Sequence, residues 1–329
     1  MTSPIFSISI SARATLDMHS LNNEGGEGNQ IQTRMVNIID QDGRLQNVNA
    51  ISGDMFKHIQ AEHLFHILHE SEGIPLCAGC QTFNANRINA DLEFLNRTSG
   101  FTDVDLINAL LQHCAIDDIE GILITENKRS VPRKSVVEFG WTVGVPGAVE
   151  TDSYFHVKYA NERSTGQRSQ DREASQETGS NLGQAIFHRP ASSGVYAAVC
   201  HLELARIGFN DISQTYAIDD PDQRHWRMQA LLQSVLYTFM QPNGAMRSAQ
   251  APHLVDFSGV VTYSTGVVPA PTISPLKDTY REEISSLISI LDRMSAGAVY
   301  QKPFNSLGEF ADVIHALMQA KPYTLHYQF

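Results

Sequence analysis

Residues 5–13 (IFSISISAR) alternate apolar and polar without a break. Phe6, Ile8, Ile10 and Ala12 fall on one side, and Ser7, Ser9, Ser11 and Arg13 on the other. A period of two puts successive side chains on opposite faces of a strand, so this segment predicts a strand with one buried and one polar face. Residues 31–39 and 48–51 also read as strands, separated by an Asp42-Gly43 turn, and Val137, Phe139, Trp141 and Val143 alternate in the same way. Strand signal returns at 194–204 and 254–263. Helical spacing interrupts it. Ser52 reads as an N-cap with Asp54 in the first turn, opening a helix that runs to about His69 through Phe56, Ile59, His63, Leu64, Ile67 and Leu68. Residues 224–240 form a second helix. The tail holds two more, the latter opened by a Ser306/Glu309 capping box. Residues 21–30 (LNNEGGEGNQ) read as a loop. The stretch 72–135 reads as an insertion on the sheet, helix-like at 103–114 and strand-like at 119–125. The order strand, strand, helix, strand, strand, helix, strand is α+β. It fits a ferredoxin-like sheet with large insertions, helices on one face and the other face free. In RNA-recognition domains the free face carries nucleic acid.

Residues 161–183 hold one large aliphatic side chain, Leu182, and predict a solvated excursion that leaves the sheet near Tyr159 and returns near Ser193. The chain as a whole is no disordered polymer: 42% of its 329 residues are apolar and 18% charged. A chain of that length buries about 75% of its unfolded surface. No apolar run reaches the length of a membrane span, and Met1-Thr2-Ser3-Pro4 has no basic leader, so the expected compartment is the cytoplasm and no membrane partner is expected. The net charge of −12 argues against a generic DNA-coating protein, although phosphate contacts act locally and leave room for a basic groove.

In a reducing compartment, Cys77-Ala-Gly-Cys80 suggests a metal rather than a disulfide. Two thiolates across a glycine turn suit tetrahedral zinc, with His63, His66 and His69 on the preceding helix and with Cys114 or His113 available to complete the site. The bland reading is a pair of small buried hydrophobes. Cys200 reads as core. Zinc nucleobase deaminases carry H-x-E and P-C-x-x-C; here His69-Glu70 and Pro75-Leu76-Cys77 are each off by one residue. A zinc-dependent nucleic-acid enzyme, deaminase or hydrolase, is the alternative function. Phosphate-loop, nucleophile-elbow and dinucleotide motifs are missing. Asp17 and His19 could be imagined as a hydrolytic pair, but a polar strand end is the simpler account. Basic residues gather at Lys128, Arg129, Arg133 and Lys134. Across 158–189, Lys158, Arg163, Arg168, Arg172 and Arg189 outnumber Glu162, Asp171, Glu173 and Glu177 by five to four. Such runs are usually solvated loops. Beside Gln184, Ile186 and Phe187 they describe an arm able to stack on bases.

Several phrases occur together: residues 7–13 running into Leu16-Asp17-Met18-His19-Ser20-Leu21-Asn22-Asn23-Glu24-Gly25, then Thr33-Arg34, then Val48-Asn49-Ala50-Ile51-Ser52-Gly53-Asp54-Met55-Phe56-Lys57-His58, then Ser192-Ser193-Gly194-Val195-Tyr196. With them the chain resembles, over nearly its full length, the DevR-type backbone subunit of type I CRISPR Cascade complexes. The resemblance implies a right-hand shape: an RRM-like palm (1–71, 136–157 and 194–329, the last with the C-terminal helices), an inserted finger region (72–135) and a long thumb hairpin (158–193). It implies no catalysis, and copies stacked along one CRISPR RNA in an antiviral ribonucleoprotein. The implied partners are that RNA, the target DNA strand paired to it, other copies of the chain and other Cascade subunits. No functional cofactor is implied, and a structural zinc at Cys77 and Cys80 rests on residue chemistry alone. The RNA-binding residues it suggests are Arg13, Asn22, Asn23, Arg34, Ser52, Gly53, Lys57, His58, Lys158, Arg163, Gln184, Phe187 and Arg189. The Ser52–Gly53 helix start is suggested as a phosphate site.

Overall fold

A computed structural model of the chain describes residues 3–27, 30–125, 129–159, 184–244, 250–295 and 297–326. The strands are β1 (Ser7–His19), β2 (Asn23–Glu27), β3 (Gln30–Thr33), β4 (Met35–Ile39), β5 (Leu45–Ile51), β6 (Ile122–Ile124), β7 (Val131–Arg133), β8 (Val137–Phe139), β9 (Thr142–Tyr159), β10 (Gln184–Leu202), β11 (Phe209–Asn210), β12 (Thr215–Tyr216), β13 (His253–Ser264) and β14 (Val299–Phe304). The helices are α1 (Gly53–His69), α2 (Ala78–Gln81), α3 (Leu92–Arg97), α4 (Asp103–His113), α5 (Ala115–Glu120), α6 (Pro221–Met240), α7 (Tyr280–Ser295) and α8 (Leu307–Leu317). The fold is α+β. One ten-stranded sheet has the order β14-β13-β1-β10-β9-β5-β4, with β2, β3 and β8 attached beside it. β1 is an interior strand, antiparallel to β10 (Ile8↔Leu202, Ala14↔Tyr196) and to β13 (Ile8↔Tyr263, Ala14↔Phe257).

The apolar face of β1 is buried as expected: Ile8, Ile10 and Ala12 join a core with Phe56 and Leu64 of α1 and Leu231 and Val235 of α6. Aromatic rings close this layer. Phe239 of α6 stacks on Phe257 of β13 at 4.7 Å, and Phe257 meets Phe304 at 5.3 Å and Phe310 at 5.1 Å.

The other face of β1 is not free. Ser7, Ser9 and Ser11 are as buried as the isoleucines. The segment after β13 lies over them and satisfies each hydroxyl: Ala270 N–H donates to Ser7 Oγ (3.0 Å), Ser9 Oγ donates to the Ala270 carbonyl (2.9 Å), and Ser11 and Thr272 hydroxyls meet at 2.9 Å. α7 extends this second layer, packing Tyr280, Ile284 and Ile288 on Val260 and Val299.

Four sequence expectations change in detail. The polar stretch 21–30 contains β2, which pairs with β3 (Asn23↔Thr33, Glu27↔Gln30), because backbone pairing needs no apolar side chains. The strand expected over 31–39 breaks at Arg34 into β3 and β4. The strand expected over 119–125 is a helix up to Glu120, stopped by Gly121 at φ +68°, and only then β6. β14 separates the two tail helices. The α1 start and both tail helices are where the sequence puts them, and Ser306 Oγ accepts from Glu309 N–H at 3.1 Å.

Between α1 and β8 the described residues form the short helices α2 to α5 and the paired strands β6 and β7, and a buried ion cluster ties this stretch, read from the sequence as an insertion, to the sheet layer. Asp118 of α5 accepts from Arg133 and from Arg227 of α6, both at 2.7 Å, with all three side chains at 0% exposure. Arg133 goes on to Asp211 (3.0 Å), which also takes Arg206 (2.6 Å). Arg133 therefore belongs to the interior and not to a basic surface. Lys134 pairs with Glu138 and Arg129 with Asp103.

Candidate nucleic-acid interface

Most of the suggested RNA-binding residues that the structure describes fall into three places. The first is the junction of β1, β4, β5 and α1. Asn22 is buried, and its side-chain oxygen accepts from Ser52 N–H at 3.0 Å. Its carbonyl accepts from Arg34 N–H at 3.1 Å. Ser52 is the α1 N-cap, with Oγ accepting from Met55 N–H at 3.1 Å. Gly53 lies flush on the neighbouring strand: a Cβ there would stand 2.2 Å from the Phe139 carbonyl oxygen. The Arg34 guanidinium lies over Trp141, 5.5 Å from the ring centroid, and Trp141 is 43% exposed. Asn22, Arg34, Ser52 and Gly53 are thus brought together, although Asn22 and Ser52 spend their oxygens on the protein itself. Ser52→Ala should lower stability by about 1 kcal/mol in urea unfolding, whereas Ser52→Thr should retain most of it; equal losses would mean that the cap bond contributes nothing.

The second place is a groove of about 430 Å³ between α1 and the insertion, lined by Asp54, Lys57, His58, Phe83, Arg87 and Glu120 among others. Lys57 does not add to the helix start. Its Nζ donates to the Glu120 carbonyl at 2.9 Å, and burial holds its ammonium below the ordinary lysine range. Burial pushes the Glu120 carboxyl up. His58 is exposed beside Phe83, with ring centroids 5.8 Å apart.

The third place is the hairpin of β9 and β10, paired residue for residue from Gly194↔Val149 to Gln184↔Tyr159. β1 stops at Ser192, and β3 touches β10 at His188↔Gln30. Beyond Thr151 the two strands continue as an arm of about 30 Å at the usual rise per strand residue. Lys158, Gln184 and Phe187 lie on its backbone, opposite Ala185, Tyr159 and His156. Arg189 pairs with Tyr154 in the register. Arg163, like residues 161–183, lies outside the described residues, as does Lys128. The Asn23 side chain is not described either; its backbone starts β2. Sequence reading missed two aromatics on this arm: Tyr154, 40% exposed, and Phe155, 60% exposed. Phe155 meets the His188 ring edge-on at 4.8 Å. The signal was the aromatic pair directly after the polar run Glu150-Thr151-Asp152-Ser153.

Arg13 belongs to none of these places. Its Nη2 donates to Asp278 at 2.7 Å, its Nε to the Pro275 carbonyl at 2.8 Å, and its guanidinium lies near the Tyr280 ring. The covering segment that buries the serines also captures this arginine. Asp17 and His19 do not form a hydrolytic pair: His19 is buried against Tyr196 with its Nδ1 toward Leu21 N–H, while Asp17 pairs in register with His253.

The histidines of α1 stay apart from the cysteines. His63 Nε2 lies 3.1 Å from the Gln241 carbonyl, and His66 faces Glu62. His113 meets Asp91 at 3.0 Å. Cys77 and Cys80 are joined instead by Cys114 and Asp117, all four buried and with donor atoms within 4.8 Å of one another. Cys200 is core.

Among the described residues, no helix is long and apolar enough to cross a membrane. Comparison with solved structures gives neighbours of low identity. Two are chains of CRISPR RNA-guided surveillance complexes. The first, pre-nicking, is 12% identical with a TM-score of 0.49, covering 94% of this chain and 99% of its own. The second is 12% identical with a TM-score of 0.47, covering 95% and 98%. A third, Csc2 of Thermofilum pendens, is 10% identical with a TM-score of 0.41, covering 96% and 87%. No curated protein matches the sequence. The family model of the CRISPR-associated negative auto-regulator DevR/Csa2 matches residues 10–285, and the chain belongs to that family.

Proposed function

We propose that the chain is a CRISPR RNA-binding backbone subunit of a type I Cascade complex, non-catalytic, that adds copy by copy along the guide RNA and presents it for pairing with target DNA. The family match over residues 10–285 carries the reading. The strand order β13-β1-β10-β9, antiparallel throughout, with α1 and α6 as the two crossing helices, supports a ferredoxin-like palm. The β9–β10 arm supports a thumb, longer at its base than the sequence suggested. Its exposed Tyr154 and Phe155 offer ring faces to bases. The Arg34–Trp141 pair at the palm edge combines a cation with a further stacking surface. Lys158, Arg163, Gln184, Phe187 and Arg189 remain the arm's proposed RNA contacts, with Asn23, Lys57 and His58 at the palm and groove. Asn22, Ser52 and Gly53 act in this reading as supports that shape the junction, and Arg13 as an anchor for the segment that covers β1.

The test is RNA binding across a salt series. The protein should copurify with short RNA, and its affinity should fall with salt at about −0.7 in the log–log slope per phosphate neutralised. Phe155→Ala should weaken single-strand binding by about 1–3 kcal/mol, the scale of one base–aromatic stack, with its thermal midpoint unchanged. A slope near zero, or a strong preference for one spacer sequence, would sink the reading. RNA cleavage lost in Asp17→Ala would move the protein to the enzymes.

A further inference from the structure

The Cys77–Cys80 turn is one of two that match. Cys77 is the N-cap of α2, and Cys80 follows three residues on. Cys114 is the N-cap of α5, and Asp117 follows three residues on. Each turn therefore presents two donors from the same side of a helix start. Ala115 N–H donates to the Pro75 carbonyl at 2.9 Å and clamps the turns together. Gly79 lets the first turn lie flush on the chain at Arg87, since a Cβ there would lie 2.1 Å from the Arg87 carbonyl oxygen.

The donors suit a cation and little else. Asp117 is buried, its Oδ1 has no hydrogen-bond partner, and its Oδ2 faces Cys77 Sγ at 3.4 Å and Cys80 Sγ at 3.8 Å. A carboxylate buried among thiols is costly unless a positive charge joins it. Zinc bonds of about 2.3 Å to sulfur and 2.0–2.2 Å to carboxylate oxygen give tetrahedron edges of about 3.5–3.8 Å; Asp117 Oδ2 stands 3.4 and 3.8 Å from the two sulfurs, and all four donors lie within 4.8 Å of one another, so an ion has only to draw them slightly together.

We propose that Cys77, Cys80, Cys114 and Asp117 bind one structural zinc ion. The sulfur-rich set selects zinc over magnesium or calcium, and four buried protein donors leave no position for water. Such a site staples α2 to the α4–α5 corner, beside the Asp118 ion cluster. It also runs against a zinc deaminase or hydrolase, which needs an open fourth position.

The experiment measures zinc in the full chain, expressed with zinc and purified without chelator. The expected content is about one ion per chain. Cys114→Ser and Asp117→Asn should each lower it several-fold, whereas Cys200→Ser and His69→Gln should leave it intact. If those variants fail to fold, cobalt exchanged into the wild-type protein supplies a second readout: thiolate-to-cobalt charge transfer with the strong visible bands of a tetrahedral site. Wild-type protein that stays below about a third of an equivalent after incubation with zinc would overturn the proposal. So would full zinc retention in folded Asp117→Asn, octahedral cobalt bands, or a Cys77–Cys80 disulfide in protein purified under reducing conditions.

Discussion

Asp118→Ala is expected to cost about 3–5 kcal/mol, because it takes a buried carboxylate from two buried guanidinium groups at once and leaves Arg133 only the half-exposed Asp211. Arg133 and Arg227 each point an N–H at one carboxylate oxygen, and Gly208 N–H also donates there, at 3.1 and 3.0 Å. Set against a total stability of about 5–15 kcal/mol, the loss is severe. It should appear as a drop of roughly 10 °C in the thermal midpoint, at the 2–4 °C per kcal/mol typical of larger domains. Asp211→Ala is the comparison. Asp211 contacts Arg133 and Arg206 but is 39% exposed, so water can replace it and the cost should be well under half as large. Equal costs for the two variants would show that burial is not what makes the Asp118 cluster matter. Because Asp118 sits in the insertion while Arg227 belongs to α6, the same variant should also loosen the insertion from the helical layer, read as faster amide exchange in α5.

Acid should destabilise the protein through His19. Burial lowers this imidazole from 6.5 to about 4. Its Nδ1 accepts from Leu21 N–H, and no partner meets Nε2. Between these two values the unfolded chain holds a proton that the folded chain refuses. Stability therefore falls as pH drops from about 6.5, and the full loss of roughly 3 kcal/mol is reached only below about 4. Above pH 7 this contribution is flat. His19→Gln should remove that share of the acid loss, measured as the difference between the two proteins' urea midpoints at pH 7 and pH 4.5. Parallel curves for wild type and variant would show that His19 takes up its proton in the folded state without penalty.

The strands and helices that carry alternation or helical spacing were legible in the sequence; what covers them was not. The serines of β1 illustrate the limit. Alternation marks them polar, and polar reads as solvated. Yet a hydroxyl is equally content with a backbone amide or carbonyl, and the segment around Ala270 and Thr272 supplies those. Periodicity cannot foresee a partner about 260 residues away. Arg133 misled for a related reason: next to Lys134 it reads as surface charge, and only the fold brings Asp118 and Asp211 to it. The cysteine turn was readable from its spacing, with Cys114 among the suggested partners. Asp117 carried no signal, since an acidic residue in a helix looks ordinary until its burial is known. The imidazoles of α1 looked suitable at steps of three residues but point to other neighbours. Among the suggested RNA-binding residues, the capping Ser52 and Arg34 beside Trp141 were visible as motifs. Tyr154 and Phe155 were not, because their exposure depends on how far the hairpin runs past the sheet.

The interior position of β1, between two strands from much later in the chain, also sets a schedule for biosynthesis. Its two partners lie at the other end of the chain, with Ile8 opposite Leu202 on one side and Tyr263 on the other. At about 5–20 residues per second, roughly 10–50 s pass between the emergence of β1 and that of its second neighbour. Until β10 emerges, a strand with two open edges is present on the ribosome, and one edge stays open until β13 follows, a template for wrong pairing. The nascent chain should depend on a holding chaperone until β13 emerges, and slowing translation should lower the yield of soluble protein rather than raise it.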